Sequence, residues 1–267
     1  MQYKLIAVDL DDSLLGTDLM ISAKNKDALI KAREQGVIVT IATGRMFVSA
    51  MVFAQQLGLD VPIITYQGGY IKNAFSHEVI YNRTLPIDVT EEIIGICKGK
   101  GAHLQIYIGD EYYVEEHNKY SELYHENVGV KGKSVGSWDR FDLEAPNKVL
   151  IVDEPHRIVE LRDEFSKIFG EEIEITMSRP FYLEFTHREA TKGKALEYLA
   201  NLKGVSRNNI MAIGDSYNDI SMIQYAGLGV AMGNAPEDVK THADYITSSN
   251  DEDGVAKVID KFILKRG

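Results

Sequence analysis

Cysteine is almost absent from this chain of 267 residues, which contains only Cys97. A single cysteine cannot form an intrachain disulfide, and it excludes a zinc site made of several cysteines. The seven histidines include no pair at HxH or HExxH spacing, so a histidine-bound metal is not expected either. The scarcity of cysteine favours a reducing compartment.

Positively charged residues and long apolar runs are also scarce in this sequence. The chain carries 29 lysines and arginines against 40 aspartates and glutamates, a formal net charge of −11. No basic run offsets this acidity, which argues against a nucleic acid or an anionic membrane as a partner. No apolar run approaches the length of a membrane span, and the start "MQYKLIAVDLDD" becomes acidic too early for a secretory signal. We therefore expect a cytoplasmic protein.

The residues that are present suit a folded protein with a sizeable core, since 45% are hydrophobic and 26% are charged. Residues 3–10 have the pattern of a buried strand, a helix capped by Ser22 follows, and "VIVTIAT" is a second apolar strand. This βαβ order implies a parallel sheet. The alternation returns after residue 190 with "NIMAIG" and "LGVAM". These segments predict an α/β fold, a doubly wound and mostly parallel sheet built from residues 1–83 and 187–267.

The segment between these two parts, residues 84–186, follows a different order. Two predicted helices, "IDVTEEIIGICKGKG" and "PHRIVELRDEFSKIFG", are each followed by a pair of strands, "HLQIYI" with "EYYVEE" and "EIEITM" with "FYLEFT". Helices followed by paired strands indicate an antiparallel α+β arrangement. Residues 128–146 are weakly patterned and are predicted to be mostly loop. We therefore predict an inserted α+β domain over 84–186.

Polar side chains gather where the predicted parallel strands end. In open α/β sheets, sites form at the carboxyl ends of the strands, so these residues are expected to converge. Lys192 belongs to the same set, since it opens the helix that follows "EFTHREAT". The strand ends contribute Asp9, Asp11, Asp12, Ser13, Thr43, Gly44, Arg45, Asp215, Ser216, Asn218 and Asp219.

The acidic members of this set favour a hard cation. Asp9, Asp11 and Asp215 supply oxygen ligands that suit Mg²⁺, which proteins commonly share with the phosphate oxygens of a substrate. A carboxylate with a free oxygen could then attack phosphorus while Lys192 neutralises charge on the transferring group. Hydroxyl and amide groups of Thr43, Gly44 and Asn218 would hold the phosphoryl oxygens.

Four short motifs in this order carry a family resemblance. The segments "DLDDS", "TGR", the "KG" that opens a helix, and "GDSYND" resemble the four motifs of the haloacid dehalogenase (HAD) superfamily of phosphatases. The inserted α+β domain and "AGLGVAMGNA" resemble its Cof-type branch, which contains sugar-phosphate phosphatases with a large cap domain. The resemblance spans almost the whole chain and implies a Rossmann-like core with the insert as its cap.

The resemblance implies a role for each motif residue. Asp9 would be the nucleophile, Asp11 the general acid and base, and Thr43 and Lys192 would assist catalysis. Mg²⁺ would be bound by Asp9, the backbone carbonyl of Asp11 and Asp215, with Asp219 supporting its waters. The phosphoryl group would be bound by Leu10, Thr43, Gly44, Lys192 and Asn218.

The activity implied is Mg²⁺-dependent hydrolysis of small phosphorylated metabolites, with sugar phosphates foremost, through an aspartyl-phosphate intermediate. Two positions depart from the family pattern. Asp12 and Ser13 replace a Gly-Thr pair, and Gln67-Gly68-Gly69 replaces Asn-Gly-Ala. The sequence assigns no role to Asp12 and leaves a substrate contact at Gln67 open.

Other interpretations remain open at the level of sequence. Taken singly, Asp9 and Asp11 are common strand-end residues, Lys192 could be solvated, and Arg45 could pair with an acid instead of a substrate. A receiver-like phosphoacceptor module also uses an acidic pocket, a hydroxyl and a lysine, and a phosphomutase could share the scaffold. Substrate identity and oligomeric state are not encoded in any spacing, although specificity is expected around Arg179 and Glu184 of the insert.

Overall fold

The structure is a computed structural model that describes residues 3–58 and 60–265. The chain divides into two compact units, each with its own sheet. The first unit comprises Met1–Arg45, Ala50–Tyr81 and Thr191–Gly267. The second comprises Met46–Ser49 and Asn82–Ala190.

The regular elements alternate along the chain as the sequence predicted for an α/β fold. In chain order, the strands are β1 (Leu5–Asp9), β2 (Ile38–Ala42), β3 (Pro62–Thr65), β4 (Tyr70–Asn73), β5 (Val79–Asn82), β6 (His103–Ile108), β7 (Glu111–Val114), β8 (Lys133–Ser134), β9 (Lys148–Val152), β10 (Ile173–Arg179), β11 (Tyr182–His187), β12 (Ile210–Gly214), β13 (Leu228–Ala231) and β14 (Tyr245–Ile246). The α-helices are α1 (Ala23–Glu34), α2 (Phe47–Leu57), α3 (Ile87–Lys100), α4 (Lys119–Val128), α5 (Pro155–Phe169), α6 (Lys192–Leu202), α7 (Ile220–Tyr225), α8 (Glu237–Lys240) and α9 (Gly254–Ile259).

The sheet of the first unit has the strand order β14-β13-β12-β1-β2-β3-β4-β5. Strand β1 pairs in parallel with both β2 and β12, and β3 pairs antiparallel with β4. Every residue of β1 is buried, as expected for a central parallel strand covered on both faces. This confirms the predicted doubly wound, mostly parallel sheet and brings the carboxyl ends of β1, β2 and β12 to one edge.

The core of the first unit explains why these segments form helices and strands. Leu5 of β1 and Ile210 of β12 lie in register and share an apolar cluster with Leu196 and Leu199 of α6. Helix α1 begins after Ser22, whose hydroxyl accepts a hydrogen bond from the Asn25 amide at 3.1 Å. The N-cap predicted at Ser22 is therefore confirmed.

The sheet of the second unit has the order β10-β11-β9-β6-β7-β8 and is antiparallel except between β7 and β8. One face buries Ile106, Val149 and Phe185 against Phe165 of α5. Helix α3 precedes the pair β6 and β7, and helix α5 precedes β10 and β11. The predicted α+β pattern is confirmed, and the mostly irregular segment 128–146 also contributes buried Trp138 to this core.

Two parts of the fold are absent from the sequence predictions. Helix α4, "KYSELYHENV", has few apolar residues, but Asn118 caps it by accepting from the Tyr120 and Ser121 amides. The strands β4 and β5 extend the sheet of the first unit, and β5 is largely solvent-accessible, so its pattern is weak. Among the described helices, none is long and apolar enough to cross a membrane.

Candidate active site

Strand β1 delivers Asp9 to the carboxyl edge of the sheet, and an irregular turn over Leu10–Leu14 follows. Within this turn Asp12 has φ 57° and ψ 10°, the left-handed region that glycine and, less readily, aspartate adopt. Its side chain is exposed, and its backbone carbonyl accepts a 2.7 Å hydrogen bond from Asn234 Nδ2. A left-handed φ accounts for the family's glycine at this position and is tolerated by aspartate, but nothing in the structure explains the replacement of that glycine by Asp12.

Lys192 is completely buried at the start of α6 and is bonded to two carboxylates. Its Nζ lies 2.5 Å from Asp9 Oδ1 and 2.6 Å from Asp219 Oδ1. Burial alone would lower the pKa of Lys192, but the charges of Asp219 and Asp9 and their hydrogen bonds raise it. The lysine is therefore a fixed positive charge inside the acidic cluster.

Asp9, Asp215 and Asp219 form one buried carboxylate cluster, with an oxygen from each within 4.8 Å of the others. Burial and the neighbouring Asp219 raise the pKa of Asp9 well above its usual range and that of Asp215 to about 6. Lys192 supplies one positive charge against these carboxylates, so negative charge remains in excess. The donor set therefore fits a hard cation such as Mg²⁺.

The three carboxylates differ in how many oxygens the protein already binds. Both carboxylate oxygens of Asp219 accept hydrogen bonds. Oδ1 accepts from Lys192 Nζ, and Oδ2 accepts 3.0 Å bonds from the Asp215 and Ser216 amides. Asp215 Oδ1 accepts a 2.8 Å bond from Ser13 Oγ. The second oxygens of Asp9 and Asp215 have no hydrogen-bond partner among the described residues. These two oxygens are the ones open to a metal or a substrate.

The Asp11 side chain lies outside this cluster. Both of its oxygens are bonded to the guanidinium of Arg45, with Nε at 2.9 Å from Oδ2. Arg45 in turn lies over the ring of Phe53 at 5.2 Å. Of the two interpretations of Arg45, pairing with an acid is the one found here, and any metal contact of Asp11 falls to its backbone carbonyl.

Thr43 and Gly44 follow β2 at the same edge of the sheet. Thr43 is buried, its amide donates to the Ile64 carbonyl at 2.8 Å, and its Oγ1 accepts from the Arg45 amide at 3.1 Å. The Gly44 amide has no acceptor among the described residues. Leu10, the remaining predicted phosphate-binding residue, has a buried side chain and a carbonyl that accepts from Leu15.

Asn218 lies at the same edge, in the turn after β12, and is exposed. Its Nδ2 donates to Gln67 Oε1 at 2.8 Å. The structure thus brings Asp9, Asp215, Asp219 and Lys192 together, and it places Gln67 between Gly44 and Asn218. The bonds made by Ser13 and Gln67 were not predicted, although both positions stood out as departures from the family motifs.

Known proteins resemble this chain over almost its whole length. The family of haloacid dehalogenase-like hydrolases matches residues 6–259. The 5-amino-6-(5-phospho-D-ribitylamino)uracil phosphatase YcsE of Bacillus subtilis (strain 168) is 34% identical over 262 residues, which cover 98% of this chain and 96% of that protein.

Solved structures agree with this match. The crystal structure of a haloacid dehalogenase-like hydrolase from Bacteroides thetaiotaomicron superposes with a TM-score of 0.90 at 33% identity, covering 98% of this chain and 100% of that one. The HAD subclass IIB sugar phosphatase BT4131 superposes with a TM-score of 0.81 at 25% identity, covering 97% and 98%. With its four motifs assembled at one sheet edge, this chain belongs to the haloacid dehalogenase-like hydrolases and is a phosphatase of their Cof-type branch.

Proposed function

We propose that this phosphatase is a Mg²⁺-dependent phosphomonoester hydrolase that uses Asp9 as its nucleophile and forms an aspartyl-phosphate. The observation that carries the proposal is the state of the Asp9 carboxylate. Lys192 holds Oδ1 at 2.5 Å, while Oδ2 has no hydrogen-bond partner among the described residues. One oxygen is therefore fixed and the other is free to attack phosphorus.

The charge balance supports the proposed metal. Mg²⁺ would be held by Asp9, Asp215 and the backbone carbonyl of Asp11, and when bound it would supply positive charge that offsets the charge of the phosphoryl group. Asp219 suits a supporting role, because Lys192 and two backbone amides already bind both of its oxygens. It orients the turn that carries Asp215.

The remaining residues are assigned by their position and chemistry. In the first step the Asp9 oxygen bonds to phosphorus as the bond to the leaving oxygen breaks, and Asp11 gives that oxygen a proton. In the second step Asp11 takes a proton from the water that hydrolyses the aspartyl-phosphate. Both oxygens of Asp11 are bonded to Arg45, so its proton transfer requires this ion pair to open.

We propose phosphate esters of polyhydroxylated carbon chains as the substrate class. The relative YcsE acts on a phosphorylated ribityl compound, and BT4131 is a sugar phosphatase. The substrate phosphoryl group would be bound by Leu10, Thr43, Gly44, Lys192 and Asn218. The inserted segment, residues 84–186, is proposed to be the cap that selects the leaving group.

The test is phosphate release from sugar phosphates, nucleotides, flavin phosphate and pyridoxal phosphate, with and without Mg²⁺. We expect continuous turnover that a chelator abolishes and that Asp9→Asn lowers by about 10⁴-fold or more, because loss of a nucleophile removes the covalent route. Asp27→Asn, a change at an exposed aspartate of α1, is the matched control and should keep full activity.

Three outcomes would contradict the proposal. Turnover that persists in the chelator-treated protein would exclude the metal. A single phosphoryl group trapped per chain would indicate a receiver-like module. Stimulation by a bisphosphorylated sugar with little net phosphate release would indicate a phosphomutase.

A further inference from the structure

We propose that Gln67 belongs to the phosphoryl-binding site, where its Oε1 holds Asn218 and its Nε2, beside Gly44, donates to a phosphoryl oxygen. This inference rests on the proposed function, because it assigns a task to the position where the chain departs from the Asn-Gly-Ala pattern of its relatives. Gln67 joins two motifs that are far apart in sequence.

The contacts of Gln67 connect these motifs directly. Its Oε1 accepts a 2.8 Å hydrogen bond from Asn218 Nδ2, across 151 positions of sequence. Its backbone amide donates to the Thr43 carbonyl at 3.3 Å. Since Thr43 and Asn218 are both expected to bind phosphoryl oxygens, Gln67 sets the spacing between them.

The side chain of Gln67 also lies directly against Gly44. A Cβ added to Gly44 would lie 2.5 Å from Gln67 Nε2 and 3.0 Å from Gln67 Cδ, and the nearest atoms it meets all belong to this side chain. Gly44 does not have a left-handed φ, so its backbone would accept alanine. A larger residue at position 44 would therefore displace the end of the flexible Gln67 side chain and move its amide.

The backbone around Gln67 is held in an uncommon conformation. Tyr66 and Gln67 have φ of 50° and 60°, and Gly68 has φ of 114°. A Cβ on Gly68 would lie 2.2 Å from the carbonyl oxygen of Thr191, the residue before Lys192. The close approach of Thr191 requires glycine at position 68, and left-handed conformations such as those of Tyr66 and Gln67 persist only where the surrounding structure enforces them.

These contacts place several amide N–H donors close together. Within the described part of the chain, Gln67 Nε2 has no acceptor, and neither has the Gly44 amide beside it. Asn218 keeps one Nδ2 hydrogen free after its bond to Gln67. Adjacent uncharged N–H donors with no internal acceptor suit the oxygens of a phosphoryl group, which accept several hydrogen bonds at once.

A double-mutant cycle on Gln67 and Gly44 tests this arrangement. We expect Gln67→Ala to lower kcat/KM for p-nitrophenyl phosphate, and the affinity for inorganic phosphate with Mg²⁺, by about tenfold, as for one lost hydrogen bond to a charged group. Gly44→Ala should cause a similar loss, because its Cβ displaces the Gln67 amide. The double variant should be no worse than Gly44→Ala alone. Losses that simply multiply would overturn the proposal.

Gln67→Glu separates direct phosphate binding by Nε2 from a structural role of the side chain. It keeps the acceptor for Asn218 but replaces the Nε2 donor with a carboxylate oxygen, so phosphate should bind more weakly than to Gln67→Ala. Phosphate affinity equal to that of the unmodified protein would overturn the proposal. Thermal unfolding of each variant checks that the fold is kept.

Phosphate release and phosphate binding together distinguish a wrong assignment of Gln67 from a wrong proposed function. If the unmodified protein releases no phosphate with Mg²⁺, the proposed function fails, while calorimetric titration with inorganic phosphate still reports on Gln67. If the protein is active but Gln67→Ala changes neither kcat/KM nor phosphate affinity, only the assignment of Gln67 fails.

Discussion

Each of the two units buries a lysine beside a carboxylate, and the two pairs are built differently. Lys192 of the first unit is fully buried and lies 2.5 Å from Asp9 and 2.6 Å from Asp219. Lys148 of the second unit is almost as buried, but its Nζ lies 3.4 Å from Glu184. Its other neighbour is the ring of Tyr107, 4.7 Å away.

The difference shows that burial of a lysine does not define its role. Glu184 Oε1 also accepts from Ser178 Oγ at 2.8 Å, whereas Oε2 is buried with no partner among the described residues. The ion pair is long, at 3.4 Å, and a buried ion pair of that kind adds little to stability compared with apolar residues of similar volume. Lys192 instead contacts both Asp9 and Asp219. Its positive charge stabilises these two carboxylates in their ionised form.

Replacing each lysine by methionine should separate the two roles most strongly. Lys192→Met removes the bond that fixes Asp9, and we expect kcat/KM for p-nitrophenyl phosphate to fall by about 10²–10³-fold. Lys148→Met is the matched control, a buried lysine outside the acidic cluster, and should cost less than about tenfold. Steady-state kinetics on both variants measure these losses. Equal losses of kcat/KM would contradict a catalytic role that belongs to Lys192 and not to Lys148.

The pH dependence of stability should have opposite signs in the two units. Burial, reinforced by His117 and opposed by Asp153, lowers the pKa of His103 to about 4. The folded second unit therefore favours the neutral ring, and the stability this contributes is present above about pH 6.5 and lost as pH falls through 4.

In the first unit burial and Asp219 raise the pKa of Asp215 to about 6. Its contribution in the metal-free protein is present below about pH 4 and lost as pH rises through 6.

Hydrogen exchange measured between pH 4 and pH 7 with a chelator present would report each unit separately. We expect changes of up to about 3 kcal/mol in opposite directions, since a tenfold change in proton affinity is worth about 1.4 kcal/mol. His103→Gln should flatten the profile of the second unit, whereas His156→Gln, at an exposed histidine of the same unit, should not. Profiles that run in the same direction in both units would contradict the assignment.

The smallest effect is expected when the pair in the second unit is removed as a whole. Replacing Lys148 and Glu184 together by methionine deletes both charges and fills similar volumes. Because such exchanges are often neutral or stabilising, we expect the free energy of unfolding to change by less than about 1 kcal/mol. Chemical denaturation measures it, and a loss of several kcal/mol would show that this pair is as necessary as the Lys192 cluster.

Much of the site could be predicted because its residues follow apolar strands. The run "LIAVD" predicts a buried parallel strand, and a strand of that kind must deliver Asp9 to the same edge as Asp215. Helix α4 was missed because its amphipathic pattern is short and its cap residue, Asn118, is common in loops. The conformation at Asp12 could not be predicted because the sequence does not report φ, and its left-handed φ of 57° accounts for the family's glycine at this position but not for the aspartate found there.

By itself the sequence determined the alternation of strands and helices, the α+β insert, the four motif positions and the excess of acidic residues at one edge. These features depend on hydrophobic periodicity and on residue order, which are local. Only the tertiary structure decided which polar groups meet. The bonds of Ser13 to Asp215 and of Gln67 to Asn218 join residues 202 and 151 positions apart. The pairing of Asp11 with Arg45 is likewise fixed by how neighbouring strands and turns pack, because contacts over such separations depend on the folded backbone and not on spacing along the chain.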